Sequence, residues 1–262
     1  MDVTTDPQYV RTTVTDRVAW LEFDRGPVNA FEWVMIAQVR DALAALTAAD
    51  DDVRVIVLAS ALPRYFSAGA DLEAFRTIDE AGMDAWCEVV HAIVGLLRRS
   101  PKPVLAAING VAVGGGLEMT LHCDLRFAAA DARLGQPEIG INFIPPVGAT
   151  QALVRLIGRP AALRYLYDGT LVSAERALAL GLVDEVVPAD ALRDTVQAYA
   201  LALAAKPPEA LAGIRRTIVE GGSVSFAEGL AVEREVAVGL AGTRNFREGV
   251  AAFLEKRPPE WT

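Results

Sequence analysis

Hydrophobic and polar positions follow two different patterns along the chain, and the change falls near residue 189. Before it, short apolar runs end at turn residues and give way to segments with apolar residues at helical spacing. Val10–Thr15 and Val18–Phe23, split by Asp16 and Arg17, predict an opening hairpin. Further strands are predicted at residues 53–59, 104–108, 125–130 and 182–187. Helices are predicted from Phe31 through residue 46 and at residues 83–97, 151–157, 160–167 and 174–180.

From Asp190 onward the apolar residues recur at helical spacing only. We therefore expect a core domain at residues 1–188 and a helical region at residues 189–262. The helical region presents more apolar residues than a short appended region can bury by itself, and such faces mark contacts between subunits. These residues are Phe226, Leu230, Leu240, Phe246, Val250 and Phe253. The pattern predicts a homotrimer or a dimer of trimers.

The stretch from Val104 to Glu118 organises the chain. A buried strand and the turn Asn109-Gly110 lead to three glycines, Gly114-Gly115-Gly116, just before a helix. Glycines leave the first N–H groups of that helix uncovered, and such groups bind an oxygen that carries or develops negative charge. A second glutamate, Glu138, stands in a turn 20 residues after Glu118. That spacing lets both carboxylates meet in one pocket.

Seven motifs in this order resemble the enoyl-CoA hydratase (crotonase) family over nearly the whole chain. They are Phe66-Ser67-Ala68-Gly69-Ala70-Asp71-Leu72, residues 102–110, Gly114-Gly115-Gly116-Leu117-Glu118, Cys123-Asp124, Gly135-Gln136-Pro137-Glu138, residues 179–183 and Arg247-Glu248-Gly249. The resemblance implies an α/β fold, a crotonase-like spiral of repeated ββα units followed by a C-terminal helical trimerisation region. It also implies reversible addition of water to 2-enoyl-CoA, which gives 3-hydroxyacyl-CoA.

The resemblance assigns roles to individual residues. Glu118 and Glu138 would hold the water, and the N–H groups of Ala70 and Gly115 would form an oxyanion hole. Further substrate contacts are implied at Ala30, Ala68, Gly69, Asp71, Leu72 and Gly114. No metal and no separate cofactor are implied, since coenzyme A is part of the substrate. Two departures are Glu73, where many relatives have a lysine near the coenzyme A phosphates, and residues 145–149, which replace a more glycine-rich turn.

Other activities stay open at this point. Relatives that lack one glutamate catalyse double-bond isomerisation or thioester hydrolysis, so an isomerase or an acyl-CoA hydrolase is the alternative. A binding protein that holds coenzyme A without turnover is a third possibility. Asp71 is a natural N-cap for the helix after it. His91 is expected to be an ordinary packed or surface residue, and His122 beside Cys123 makes no zinc site without a second pair of ligands.

Composition excludes several classes of protein. The 262 residues are 52% hydrophobic and 23% charged, as in globular proteins. A net charge of −9 argues against nucleic acid or an anionic membrane as the main partner. Two cysteines form no disulfide framework, and we expect a cytoplasmic protein because no targeting segment or apolar membrane span is visible. The acidic triplet at residues 50–52 is interpreted as a solvated turn.

Overall fold

The computed structural model describes residues 7–48 and 52–262. The N-terminal residues, in which we predict no targeting segment, and two of the three aspartates at residues 50–52 lie outside the described residues. Strands are β1 Val10–Thr15, β2 Val18–Phe23, β3 Ala30–Phe31, β4 Val55–Ser60, β5 Tyr65–Ser67, β6 Gly69–Ala70, β7 Val104–Ile108, β8 Val111–Val113, β9 Leu125–Ala129, β10 Arg133–Gly135, β11 Val172–Ser173 and β12 Glu185–Val187.

The helices separate into those of the core and those that follow it. The core contains α1 Trp33–Thr47, α2 Leu72–Phe75, α3 Glu80–Arg99, α4 Gly115–Thr120, α5 Ala149–Ile157, α6 Arg159–Asp168 and α7 Ala174–Leu180. The C-terminal helices are α8 Leu192–Ala204, α9 Pro208–Gly221, α10 Phe226–Ala241 and α11 Arg244–Glu255. Short 3-10 helices cover Pro137–Ile141 and Ala189–Ala191.

The opening hairpin is confirmed: β1 pairs with β2 antiparallel, and Asp16 and Arg17 form the turn with positive φ. Six strands then form one sheet in the order β1-β2-β4-β7-β9-β12, parallel beyond the hairpin. The side chains of the central strands β4, β7 and β9 are buried on both faces, as in parallel sheets covered by helices. The strand predicted at residues 182–187 is shorter than expected and begins at Glu185.

A second sheet of four short strands, β11-β10-β8-β5, was not predicted, because two- and three-residue strands are too short to show a period. Each repeat of the spiral adds one strand to the large sheet and one to the small sheet. The pairs are β4 and β5, then β7 and β8, then β9 and β10. Helical segments follow each pair. This repeat is the ββα spiral that the resemblance implies.

Buried ion pairs lie at the edge of the core, where α9 packs against it. Arg126 is buried and pairs with Asp184, and buried Arg215 of α9 pairs with Asp124. Arg215 also donates to the carbonyl of Leu97 at the end of α3, which attaches α9 to the core. No helix in the described part of the chain is long and apolar enough to cross a membrane.

Candidate active site

The predicted site residues converge on one cavity of about 350 Å³ between α1, α3, α4 and the segment after β10. Eight of the ten line it: Ala68, Gly69, Ala70, Leu72, Gly114, Gly115, Glu118 and Glu138. Ala30 and Asp71 lie beside it instead. Arg25 holds both, donating to the Ala30 carbonyl at 2.8 Å and pairing with the Asp71 carboxylate at 2.9 Å. The roles of all ten residues stay predictions.

The loop before α2 and the start of α4 meet backbone to backbone. Gly69 has φ +82°, and a Cβ there would lie 3.0 Å from the Val113 carbonyl oxygen and 3.5 Å from the Gly115 nitrogen. Only a residue without a side chain fits this approach. Ala70 and Gly115, which come from separate motifs, are brought together by this contact.

The N–H groups of Ala70 and Gly115 are both available to the cavity. On either side of Ala70, Gly69 N donates to Ser67 Oγ at 3.0 Å and Asp71 N donates to the Phe31 carbonyl at 2.8 Å. Successive N–H groups of a strand point to opposite sides, so that of Ala70 points away from β3. Gly115 is the first residue of α4, where an N–H has no partner within the helix.

Glu118 is fully buried, and its two carboxylate oxygens differ. Oε2 accepts hydrogen bonds from Val147 N at 2.7 Å and Ala149 N at 3.1 Å. Oε1 has no hydrogen-bond partner among the described residues. Burial raises the pKa of Glu118 to about 8, the nearby Glu138 adds to the rise, and the two N–H donors oppose it. A buried oxygen without a partner next to a cavity is suited to take a proton from a molecule bound there.

Glu138 lies in the 3-10 helix after β10, across the start of α4 from the Glu118 carboxylate. A Cβ on Gly114 would come within 2.9 Å of Glu138 Oε1, so the carboxylate rests against that glycine. Burial raises the pKa of Glu138 too. Two carboxyl groups whose pKa values are raised by burial therefore line one cavity, and the charge of Glu138 adds to the rise at Glu118.

Gln136 contacts Glu138 from inside the core. Its side chain is buried, and with the amide nitrogen toward Glu138 it donates to the two carboxylate oxygens at 3.1 and 3.2 Å. Turned over, the same amide presents an oxygen that can accept the proton of a carboxylic acid. Gln136 can thus pair with either protonation state of Glu138, a role that the sequence motif did not reveal.

The closed end of the cavity is apolar. Ile36, Trp86, Val90 and Met119 are almost fully buried there, whereas Leu72 and Ile141 at its mouth are more than half exposed. The apolar, proline-rich loop of residues 139–148 borders the cavity. It contributes Gly140, Ile141, Phe143, Pro146 and Val147 to the wall, and helices α1, α3 and α4 supply the floor.

Comparison with known proteins agrees with this geometry. The family model for enoyl-CoA hydratase/isomerase matches residues 13–262. The chain belongs to the enoyl-CoA hydratase/isomerase family. The 2,3-dehydroadipyl-CoA hydratase of Escherichia coli is 34% identical over 89% of this chain and 90% of its own length. The crotonyl-CoA hydratase of Syntrophomonas wolfei is 33% identical over 88% of each chain.

Solved structures place the fold in the same family. An enoyl-CoA hydratase from Bacillus anthracis superposes with a TM-score of 0.92 at 32% identity, covering 97% of this chain and 99% of that one. The spiral of ββα units with its C-terminal helices is therefore the crotonase fold, as predicted. An acyl-CoA substrate is consistent with membership of this family.

Proposed function

We propose that the protein is an enoyl-CoA hydratase that adds water to 2-enoyl-CoA. The observation that carries the proposal is the Glu118 carboxylate, which is buried, held at Oε2 by two backbone N–H groups and open at Oε1, in the same cavity as Glu138. Hydration needs one group to deprotonate water and another to protonate C2. A site with one carboxylate would serve isomerisation better than hydration.

In the proposed hydration, each of these groups has one role. Water attacks C3 of the enoyl thioester while Oε1 of Glu118 takes its proton, and the electrons of the double bond move toward the thioester oxygen. The N–H groups of Ala70 and Gly115 stabilise the negative charge that develops there. Glu138 then gives a proton to C2, which yields the 3-hydroxyacyl thioester. In the state that can react, Glu118 is ionised and Glu138 carries a proton.

The acyl group in this proposal occupies the apolar end of the cavity. None of the described residues that line it is Lys, Arg or His, so no cation is present to pair with a carboxylate at the far end of the acyl chain. We therefore expect uncharged short or medium acyl groups to be preferred. A cavity of about 350 Å³ has room for roughly a dozen atoms of the size of water.

Substitution of each glutamate tests the assignment. Glu118→Gln and Glu138→Gln should each reduce hydration roughly a hundred- to ten-thousandfold, and the double variant should be little worse than either single variant because the two groups act on one water. Loss of 2-enoyl-CoA absorbance measures hydration, and conversion of a 3-enoyl-CoA measures isomerisation. Glu175→Gln, at an exposed position of α7 outside the cavity lining, is the matched control.

The same measurements distinguish the alternatives. An isomerase would convert the 3-enoyl substrate with one of the two single variants nearly as active as the unchanged protein. A hydrolase would release free coenzyme A. Wild-type protein that isomerises quickly and never hydrates a 2-enoyl-CoA would rule out the proposal.

A further inference from the structure

We propose that the two histidines of the chain position the Glu118 carboxylate by holding the backbone of residues 146–149. The inference rests on the role proposed for Glu118 in hydration. The sequence suggested no function for either residue. In the structure both imidazoles bond to consecutive carbonyl groups of the segment that binds Glu118.

His91 acts through a single peptide group. Its Nε2 lies 2.9 Å from the Pro146 carbonyl oxygen and must donate, because a carbonyl only accepts. The N–H of the same peptide group belongs to Val147 and donates to Glu118 Oε2 at 2.7 Å. The carbonyl and N–H of a trans peptide point in opposite directions, so this group lies between His91 and Glu118. A hydrogen bond at one end polarises the group and strengthens the bond at the other.

His122 holds the next peptide group. Its Nε2 donates to the Val147 carbonyl at 2.7 Å, while Nδ1 has no partner among the described residues. Burial lowers the pKa of His122 to about 4, so the ring is neutral and carries its hydrogen on Nε2. The following peptide group supplies Ala149 N, the second donor to Glu118. The two histidines thus fix the carbonyls of the turn, and its N–H groups fix the carboxylate.

Gly148 makes room for this arrangement. It has φ +89°, and a Cβ there would lie 2.9 Å from His122 Nε2. The imidazole therefore takes the space that the missing side chain leaves free. His122 and Gly148 therefore fit each other, and a side chain at residue 148 would displace the imidazole from the Val147 carbonyl.

Several titratable side chains and two arginines surround these contacts. Glu138 and the thiol of Cys87 are near Glu118, and Arg98, Arg126 and His91 are near His122. Removal of an imidazole donor leaves these groups in place and frees one carbonyl of the turn. The N–H groups then point less well at Oε2, the ionised form of Glu118 loses stabilisation, and its pKa rises further.

The test compares leucine, which removes the donor, with glutamine, whose Nε2 can replace that of histidine. His91→Leu and His122→Leu should each move the Glu118 limb of the kcat pH profile upward by roughly half to one unit, with roughly a three- to tenfold loss of kcat below that limb and little change in KM. His91→Gln and His122→Gln should restore most of the difference. Ala92→Leu, at an exposed neighbour of His91 on α3, is the control for the surface change.

An infrared titration of the Glu118 carboxylate, identified by difference from Glu118→Gln, gives a readout that needs no substrate. An upward shift in the leucine variants supports positioning even if the protein fails to hydrate enoyl-CoA, so failure of the proposed function is seen separately. An unchanged titration in His91→Leu, or equal shifts in the leucine and glutamine variants, overturns the proposal. Because His91 is exposed, its variant keeps the test valid if His122→Leu does not fold.

Discussion

The spiral core and the C-terminal helices differ in what they bury. The core buries a polar group, and the helices leave apolar side chains exposed. Around Glu118 the chain binds one oxygen of a buried carboxyl group with its own backbone, through N–H donors from residues 147 and 149. The last helices leave large apolar side chains uncovered: the exposed fraction is 84% for Phe226 and 83% for Phe253. Burying polar groups without partners is costly, and so is exposing a contiguous apolar face.

We expect this difference to separate two roles within one chain. One chain contains the complete set of groups proposed for hydration, since all of them lie at or before Ala149. The helical region after residue 189 contributes no residue to the cavity lining among the described residues. Its exposed apolar faces on α10 and α11 are suited to another subunit. We therefore expect changes in the core to affect chemistry and changes in the last helices to affect assembly.

Among changes to the backbone of the core, Gly115→Pro should have a large effect on turnover. Proline removes the proposed oxyanion donor but suits the first residue of a helix, so the fold should persist. We expect turnover to fall on the order of a hundredfold, the usual loss for one such donor. Gly115→Ala is the control, because its Cβ would meet Phe31 and Val147 at 3.6 Å, an ordinary contact, and the N–H remains. Equal turnover of the proline and alanine variants would disprove the donor assignment.

Substitutions in the C-terminal helices should change the oligomeric state. We predict a homotrimer or a dimer of trimers, and expect Phe226→Glu with Phe253→Glu to shift the protein toward monomers, since burial of each ring contributes roughly 1.5–3 kcal/mol. Light scattering at micromolar concentration measures the mass. Val14→Glu, on the exposed face of β1, is the control. A monomer mass for the unchanged protein would contradict the prediction, and the core would then have to be stable without partners.

The sequence predicted the large sheet better than it predicted the contacts of the site. The long apolar runs gave most large-sheet strands to within about two residues, and Asp71 caps α2 through Glu73 N as expected. The small sheet escaped notice because its strands are only two or three residues long. The donors to Glu118 escaped because every residue carries a backbone N–H, so residue type gives no signal. Gln136 and both histidines gain their contacts only when distant segments meet.

Because the carboxyl group of Glu118 is buried, the free energy of unfolding should depend on pH. The pKa of this group is about 8 in the folded protein and about 4.5 when exposed. Below pH 4.5 it is protonated in both states, so its contribution to stability is intact there. Between these values only the unfolded chain ionises, and stability falls by up to about 1.4 kcal/mol per pH unit.

Glu118→Gln should therefore gain stability relative to the unchanged protein as pH rises from 5 to 8. Urea unfolding at several pH values measures the difference in free energy of unfolding. The exposed Glu73→Gln should show no such trend. A constant difference across this range would mean that Glu118 is ionised at low pH in the folded state. The C-terminal variants should lose stability equally at both ends of the range.

The smallest effect concerns the floor of the cavity. Trp86 is buried between two other aromatic rings, with centroids 5.1 Å from Trp33 and 4.8 Å from Phe75, and it lines the apolar end. Trp86→Leu shortens this wall but keeps it apolar. We expect kcat/KM for a longer 2-enoyl-CoA to rise relative to crotonyl-CoA by roughly tenfold, since one or two methylenes in an apolar pocket change binding by about 1–3 kcal/mol. Trp33→Leu removes a ring from the same cluster that does not line the cavity, so it controls for the loss of packing. If both variants changed the preference equally, the floor of the acyl site would lie elsewhere, and the cavity would no longer explain which acyl groups the core accepts.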